Sequence, residues 1–242
     1  MVLPAGFSAL VRFAAPLISA RFLERRKRFL ALVELPDHRR VWVHVPNSGA
    51  LTGCSQPGQE ILLTCDARPG RNTDYTWRFV RGAAGWICID TLVPNRLVAE
   101  ALAAGGLPGL PAPQRVRAEV TIPQGSRLDF VLEVEGKLWF LEIKSVTWVE
   151  DRVALFPDGV TSRGRRHLEH LQELAAQGHQ AWNVFVVQRH DAEVLRPAAA
   201  IDPAYAKALA AVAANGVNIL VLQEKIAPPE ITLASPLSFD LT

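Results

Sequence analysis

The chain has 242 residues, 49% of them hydrophobic and 21% charged, so it carries ample material for a packed core and is not a disordered chain. Its 26 Lys and Arg against 24 Asp and Glu leave a formal net charge of +2, which excludes a polybasic or histone-like binder. Three widely spaced cysteines, Cys54, Cys65 and Cys88, form neither a disulfide framework nor a zinc cluster and read as small hydrophobes in a reducing cytoplasm.

Residues 1–20 are mostly apolar, but no basic segment leads them and Arg12 and Pro16 interrupt them, so no targeting segment is expected. They read as an N-terminal extension, of which 1–10 are either a loose arm or the product of a start codon set too early. The uncharged stretch 208–223 is cut by Asn215, Gly216 and Asn218, so no run reaches the roughly 18 apolar residues of a membrane span. A cytoplasmic protein without a membrane partner is expected.

The first half reads as β. Residues 28–35 form a strand that turns at Pro36 and Asp37, and 40–45 alternate, with Val41, Val43 and Val45 on one face and Trp42 and His44 on the other. Further short strands are predicted at 61–65, 75–81 and 86–90. Five strands within about seventy residues suit a small barrel of the OB type over 21–92. A helix at 95–104 and the Gly- and Pro-rich stretch 105–113 then form a helix and linker, 93–113.

The second half, 114–242, changes rhythm. Strands are predicted at 116–122, 127–135 and 138–146, with a turn at Glu135-Gly136-Lys137. A helix at 164–176, an almost wholly apolar strand at 182–187, a helix at 203–214 opened by Asp202 and Pro203, and a last strand at 217–222 follow. Hairpins followed by strand–helix alternation give an α/β domain with a mixed sheet, and an α+β chain taken as a whole.

The sharpest chemical signal lies at 126–148. Alternation puts Leu128, Phe130 and Leu132 on one face of their strand and Asp129 on the other. Leu138, Phe140, Glu142 and Lys144 share a face of the next strand. A carboxylate on so apolar a strand is costly unless it is paired or bound to a cation. Asp129, twelve residues, then Glu142-Ile143-Lys144 resembles the PD-(D/E)XK nuclease signature, with Leu128 where a proline usually precedes the acid. That resemblance implies that Asp129 and Glu142 hold Mg²⁺ or Mn²⁺, while Lys144 orients the attacking water or stabilises developing charge. Glu119 stands where some members of that superfamily supply another acid. The plainer reading is a Glu142–Lys144 ion pair at a strand end with Asp129 as a neighbour.

Two basic segments complete the set. On the helix at 164–176 and the turn before it, Arg163, Arg166, His167 and His170 fall near one face, a phosphate-binding surface or simply a solvated one. Arg25, Arg26, Lys27 and Arg28, between Phe22 and Phe29, suit either nucleic acid or a charged edge strand. Trp42, Trp77 and Trp86 are stacking platforms or core. The turn at Pro46-Asn47-Ser48-Gly49 is structural or lines a ligand groove at the domain junction, and Asp90, Thr91 and Asn95 seat the connecting helix or face a ligand.

Six stretches together resemble the sugar fermentation stimulation protein A family: 26–31 (RKRFLA), 44–53 (HVPNSGALTG), 89–95 (IDTLVPN), 126–130 (SRLDF), 142–147 (EIKSVT) and 156–168 (FPDGVTSRGRRHL). The resemblance implies an N-terminal OB-like barrel, a C-terminal PD-(D/E)XK nuclease-like domain, and DNA (or RNA) as partner. Asn72 departs from a basic pair that the family often carries there. Three functions follow as expectations. The first is a DNA-binding protein with metal-dependent phosphodiester hydrolysis. The second is a non-catalytic DNA-binding regulator of sugar metabolism genes. The third is a small-molecule hydrolase using the same acids. The near-neutral total averages two unlike parts: residues 1–113 hold 13 basic and 8 acidic residues, net +5, and 114–242 hold 13 and 16, net −3.

Overall fold

The computed structural model describes residues 9–13, 16–123 and 125–241. In chain order the first strands are β1 (Leu10–Arg12), β2 (Ile18–Arg26), β3 (Leu30–Glu34), β4 (Arg40–His44), β5 (Glu60–Cys65), β6 (Tyr75–Arg81) and β7 (Trp86–Cys88), followed by helix α1 (Val93–Ala103). Then come β8 (Arg115–Thr121), β9 (Arg127–Val134), β10 (Lys137–Val146), β11 (Val149–Glu150), β12 (Val153–Phe156), α2 (Ser162–Ala176), β13 (Gln180–Val187), β14 (Val194–Pro197), α3 (Pro203–Ala214), β15 (Val217–Ala227), β16 (Glu230–Pro236) and β17 (Ser238–Phe239).

Strands β4-β3-β2-β5-β6 close into an OB-like barrel through a β4–β6 bridge at His44 and Thr76, and β7 continues from β6. Trp77, Phe22, Val33, Val43, Ile61 and Leu63 fill it. The alternation seen in 40–45 follows from this, because Val43 and Val45 point into the barrel and Trp42 out. The fifth wall strand is β2 rather than 86–90. Strand β5 pairs only with Ile18–Arg21 of β2, so at Arg25 and Arg26 the strand is flanked by β3 alone, and Lys27 and Arg28 lie in the turn that follows. A bulge between Phe22 and Glu24 breaks its period of two, which hid it in the sequence.

The second sheet has the order β1-β16-β15-β13-β10-β9-β8, with β10, β13 and β15 parallel and the outer strands antiparallel. Helices α2 and α3 cover one face through Leu168, Leu171, Leu174, Tyr205 and Leu209, packed on Phe140, Phe185 and Val221. Helix α1 covers the other face. Its Val93, Leu97, Val98, Ala101 and Leu102 share one core with Phe79 and Cys88 of the barrel and Leu141 and Ile143 of the sheet. The stretch 93–113 is thus a packed joint rather than a spacer, with Leu107 and Leu110 buried in it.

Three further differences from the sequence expectation have local causes. Residues 1–8 lie outside the described residues, but Leu10–Arg12 forms an edge strand on β16, so this part of the extension is built into the sheet. The strand predicted at 217–222 runs on to Ala227 and turns into β16, so it is not the last. Cys54 and Cys88 are buried as expected, whereas Cys65 is exposed. Among the described residues no helix is long and apolar enough to cross a membrane.

Candidate active site

Strand β10 is the central element. Its ladder with β9 ends at Leu141–Phe130, while its ladder with β13 continues to Val146–Val187. Just beyond the point where β9 leaves, Asp129 Oδ2 accepts the backbone N–H of Ile143 at 2.7 Å, and its Oδ1 accepts from Asn95 Nδ2 on α1, also at 2.7 Å. The simple alternation of β9 fails at this place. Phe130 and Leu132 enter the core under α1, but Leu128 enters the core under α2 and α3.

Glu142 is 4% exposed and lies on the α2 side of β10, mid-strand rather than at an end. Its Oε1 accepts from Lys144 Nζ at 2.6 Å and pairs with His167 Nδ1 on α2. His167 Nε2 in turn accepts from Arg163 Nε at 3.4 Å, which leaves Nδ1 to carry the proton toward Glu142. Glu142 Oε2 is buried and without a hydrogen-bond partner.

The two carboxyls are pushed apart in acidity. Burial, and then the charge of Glu142, raise Asp129, and the bonds from Ile143 and Asn95 offset this only in part. Burial also acts to raise Glu142, but Lys144 and His167 outweigh it and hold its carboxyl below the usual range. Two acids of opposite shift beside the half-buried cation of Lys144 form an arrangement typical of acid–base and metal chemistry.

The expected site residues divide as follows. Asp129, Glu142 and Lys144 come together. Glu119 does not join them: it is exposed and ion-paired with Arg127 at 2.7 Å. His167, expected on a solvent-facing phosphate surface, is 4% exposed and turned inward, while Arg163 and Arg166 are exposed. Arg25 also has another task. Its guanidinium donates to the carbonyls of Asn47 (2.7 Å), Gly49 (2.8 Å) and Ala50 (3.2 Å), pinning the turn 46–50. Arg26 pairs with Glu24 and lies over the Trp42 ring, whereas Lys27 and Arg28 are exposed at the β2–β3 turn. Arg25→Ala is therefore expected to lower unfolding stability by about 2 kcal/mol, the worth of a charged hydrogen-bond donor, as read by urea denaturation.

Residues the sequence did not single out complete the site. Asn183 on β13 stands in register with Glu142, fully buried, and its amide faces the buried Tyr205 hydroxyl of α3. An amide inside the apolar run 182–187 was the available signal. Asn95 reaches from α1 to Asp129, whereas Asp90 seats α1 by accepting from Leu92 N at 3.0 Å and pairs with Arg78.

One residue beyond Lys144, β10 opens onto a cleft of about 730 Å³ between barrel and sheet. The 46–50 turn forms part of its barrel wall, and Ser145, Trp148 and Thr161 part of its other wall. Asp158 spans the junction by accepting from Leu51 N at 3.0 Å.

Comparison with known proteins places these features. Residues 23–89 match the family description "SfsA N-terminal OB domain", and residues 92–230 match "Sugar fermentation stimulation protein RE domain". A sugar fermentation stimulation protein homolog of Geotalea uraniireducens is 44% identical over 223 residues, 92% of this chain and 96% of its own. The homolog of Citrifermentans bemidjiense is 42% identical over the same shares. The solved structure of Pyrococcus furiosus SfsA in complex with Ca²⁺ superposes with a TM-score of 0.84 at 27% identity, covering 94% of this chain and 97% of that one.

Proposed function

The chain belongs to the sugar fermentation stimulation protein family, and from that premise we propose that it binds nucleic acid and hydrolyses phosphodiester bonds with a divalent metal held by Asp129 and Glu142. The observation that carries this reading is Glu142 Oε2, a buried carboxylate oxygen with no partner, next to the half-buried carboxylate of Asp129. A carboxylate oxygen left unpaired in a core is costly, and a cation removes that cost.

The donor set fits Mg²⁺ or Mn²⁺. Among the described residues no group of three or more His, Cys, Asp or Glu side chains converges as a metal cage. Mg²⁺ does not require one, because it keeps several waters and takes one or two carboxylates. The relative from Pyrococcus furiosus was solved with Ca²⁺, another hard cation that prefers oxygen ligands, which supports the reading. A cation bound there supplies polarisation of the scissile phosphate and a more acidic water. The chain's own groups do the rest. Asn95 and the Ile143 N–H orient Asp129, His167 and Lys144 fix the Oε1 edge of Glu142, and the Lys144 ammonium faces the charge that develops on phosphate.

The test is a cleavage panel of single- and double-stranded DNA and RNA with Mg²⁺ or Mn²⁺. Cleavage with either metal that EDTA stops is the expected result, and its absence from every substrate sinks the hydrolytic half of the proposal. A DNA-binding protein without turnover is the second reading. It is favoured by the fact that Lys144 and His167 already neutralise Glu142 in part, and salt-sensitive binding without cleavage would establish it. Asn95→Ala is expected to weaken Mn²⁺ binding by about 10–100-fold, the usual cost of removing a residue that orients a ligand, as read by calorimetry.

A further inference from the structure

The cleft between barrel and sheet has no role in holding the metal, and its lining is specific. We propose that it is the path of an unpaired nucleic-acid strand, with Arg28 on a phosphate and Trp148 beneath a base. This rests on the nucleic-acid reading above and adds strandedness to it.

Shape is the first argument. Both walls are fixed, one by Arg25 gripping the 46–50 turn and the other by Asp158 bonded to Leu51 N. A concavity of about 730 Å³ has the size of a site for a drug-sized ligand, the scale of one or two nucleotides. A duplex presents grooves that protruding helices or ribbons enter, and a walled cleft offers nothing of that kind.

Chemistry is the second. The acids around the cleft are committed: Asp158 holds Leu51 N and faces Arg25, and Glu150 holds the Trp148 indole N–H at 3.0 Å. The latter bond fixes the indole, which is only half-buried and lines the cleft. Arg28 is exposed and has no acid partner among the described residues. A free guanidinium and a fixed indole lining one cleft are the groups that hold phosphate and base of a single strand.

Backbone strain is the third. Lys27 and Arg28 form the tight turn between β2 and β3 with φ of 51° and 61°, and Phe29 N donates to Lys27 O at 2.7 Å. A turn with two positive φ values favours Asn-Gly, and two bulky cations there are disfavoured. Strain of this kind persists where function uses it. Arg28 is the one of the two that lines the cleft.

The experiment uses the full chain in EDTA, so that binding is read without cleavage or metal. A fluorescein-labelled mixed-sequence 12-mer of single-stranded DNA and its duplex are titrated by anisotropy at several salt concentrations. We expect the single strand to bind at least about tenfold more tightly than the duplex, since only it can reach the stacking surface. Arg28→Gly should weaken single-strand binding about tenfold and reduce the salt slope by about one, while raising the melting temperature because glycine relieves the turn. Trp148→Ala should also weaken binding about tenfold. Equal or tighter duplex binding overturns the proposal and leaves the nucleic-acid reading standing. Parent-like binding by both variants does the same. No binding of either probe at low salt overturns both.

Discussion

Glu142→Ala is expected to lower metal-dependent cleavage by on the order of 10³-fold, because a bound metal is worth several kcal/mol of transition-state stabilisation and each 1.4 kcal/mol is tenfold. Glu142 is the only residue of the set that touches both Lys144 and His167, and its Oε2 is the open ligand position. The substitution has a structural cost as well. It leaves the Lys144 ammonium, whose side chain is 12% exposed, without its carboxylate. Glu142→Gln separates the two effects, since it keeps the shape and a hydrogen-bond acceptor while removing the charge. Cleavage should be lost in both variants, Mn²⁺ binding by calorimetry should be lost with it, and the melting temperature should fall further for alanine. Retention of metal binding in Glu142→Gln would place the cation elsewhere.

Asp202→Ala is expected to cost about 3 kcal/mol of folding stability, the sum of a lost helix cap and of buried donors left unpaired. The side chain is 2% exposed. Its Oδ1 accepts from Tyr205 N at 2.9 Å and caps α3, its Oδ2 accepts from Thr161 N at 2.8 Å, and Arg165 donates to both oxygens at 3.1 and 3.2 Å. One carboxylate thus ties the start of α2 to the start of α3. Burial acts to raise its pKa, but the two backbone N–H groups and Arg165 outweigh it and hold the carboxyl below the ordinary Asp value. A lowered folded value means that the unfolded chain binds the proton more tightly. The stabilisation is therefore complete above the ordinary value of about 3.9 and is lost as pH falls through the folded value. Urea denaturation at neutral pH and at pH 3 checks this. The gap between parent and Asp202→Ala should be full at neutral pH and narrower at pH 3.

Much of the candidate site could be read from local pattern. Strand alternation put Glu142 and Lys144 on one face, and the structure bonds them at 2.6 Å. The cap of α3 by Asp202 was equally legible, because a cap and its helix are neighbours in sequence. His167 was visible as a helix residue near the acids, yet its direction was not: helix spacing gives which residues share a face, while the packing of α2 on β10 decides that this residue faces inward. Arg25 looked like its basic neighbours and differs from them only because the 46–50 turn arrives beside it.

By itself the sequence determined what is periodic or local: a small β-barrel, a mixed α/β sheet, the Asp129–Glu142–Lys144 pattern and the helix starts. It determined these because a pleat repeats every two residues and a helix every 3.6, so that short windows carry the information. Only the tertiary structure decided that Asn95 holds Asp129, that Asn183 stands beside Glu142, that Glu119 is spent on Arg127, and that barrel and sheet meet around one cleft. Those contacts join residues brought together by ladder register, a bulge in β2 and the burial of α1. Such features are set by the packing of whole layers, which no short stretch of chain encodes.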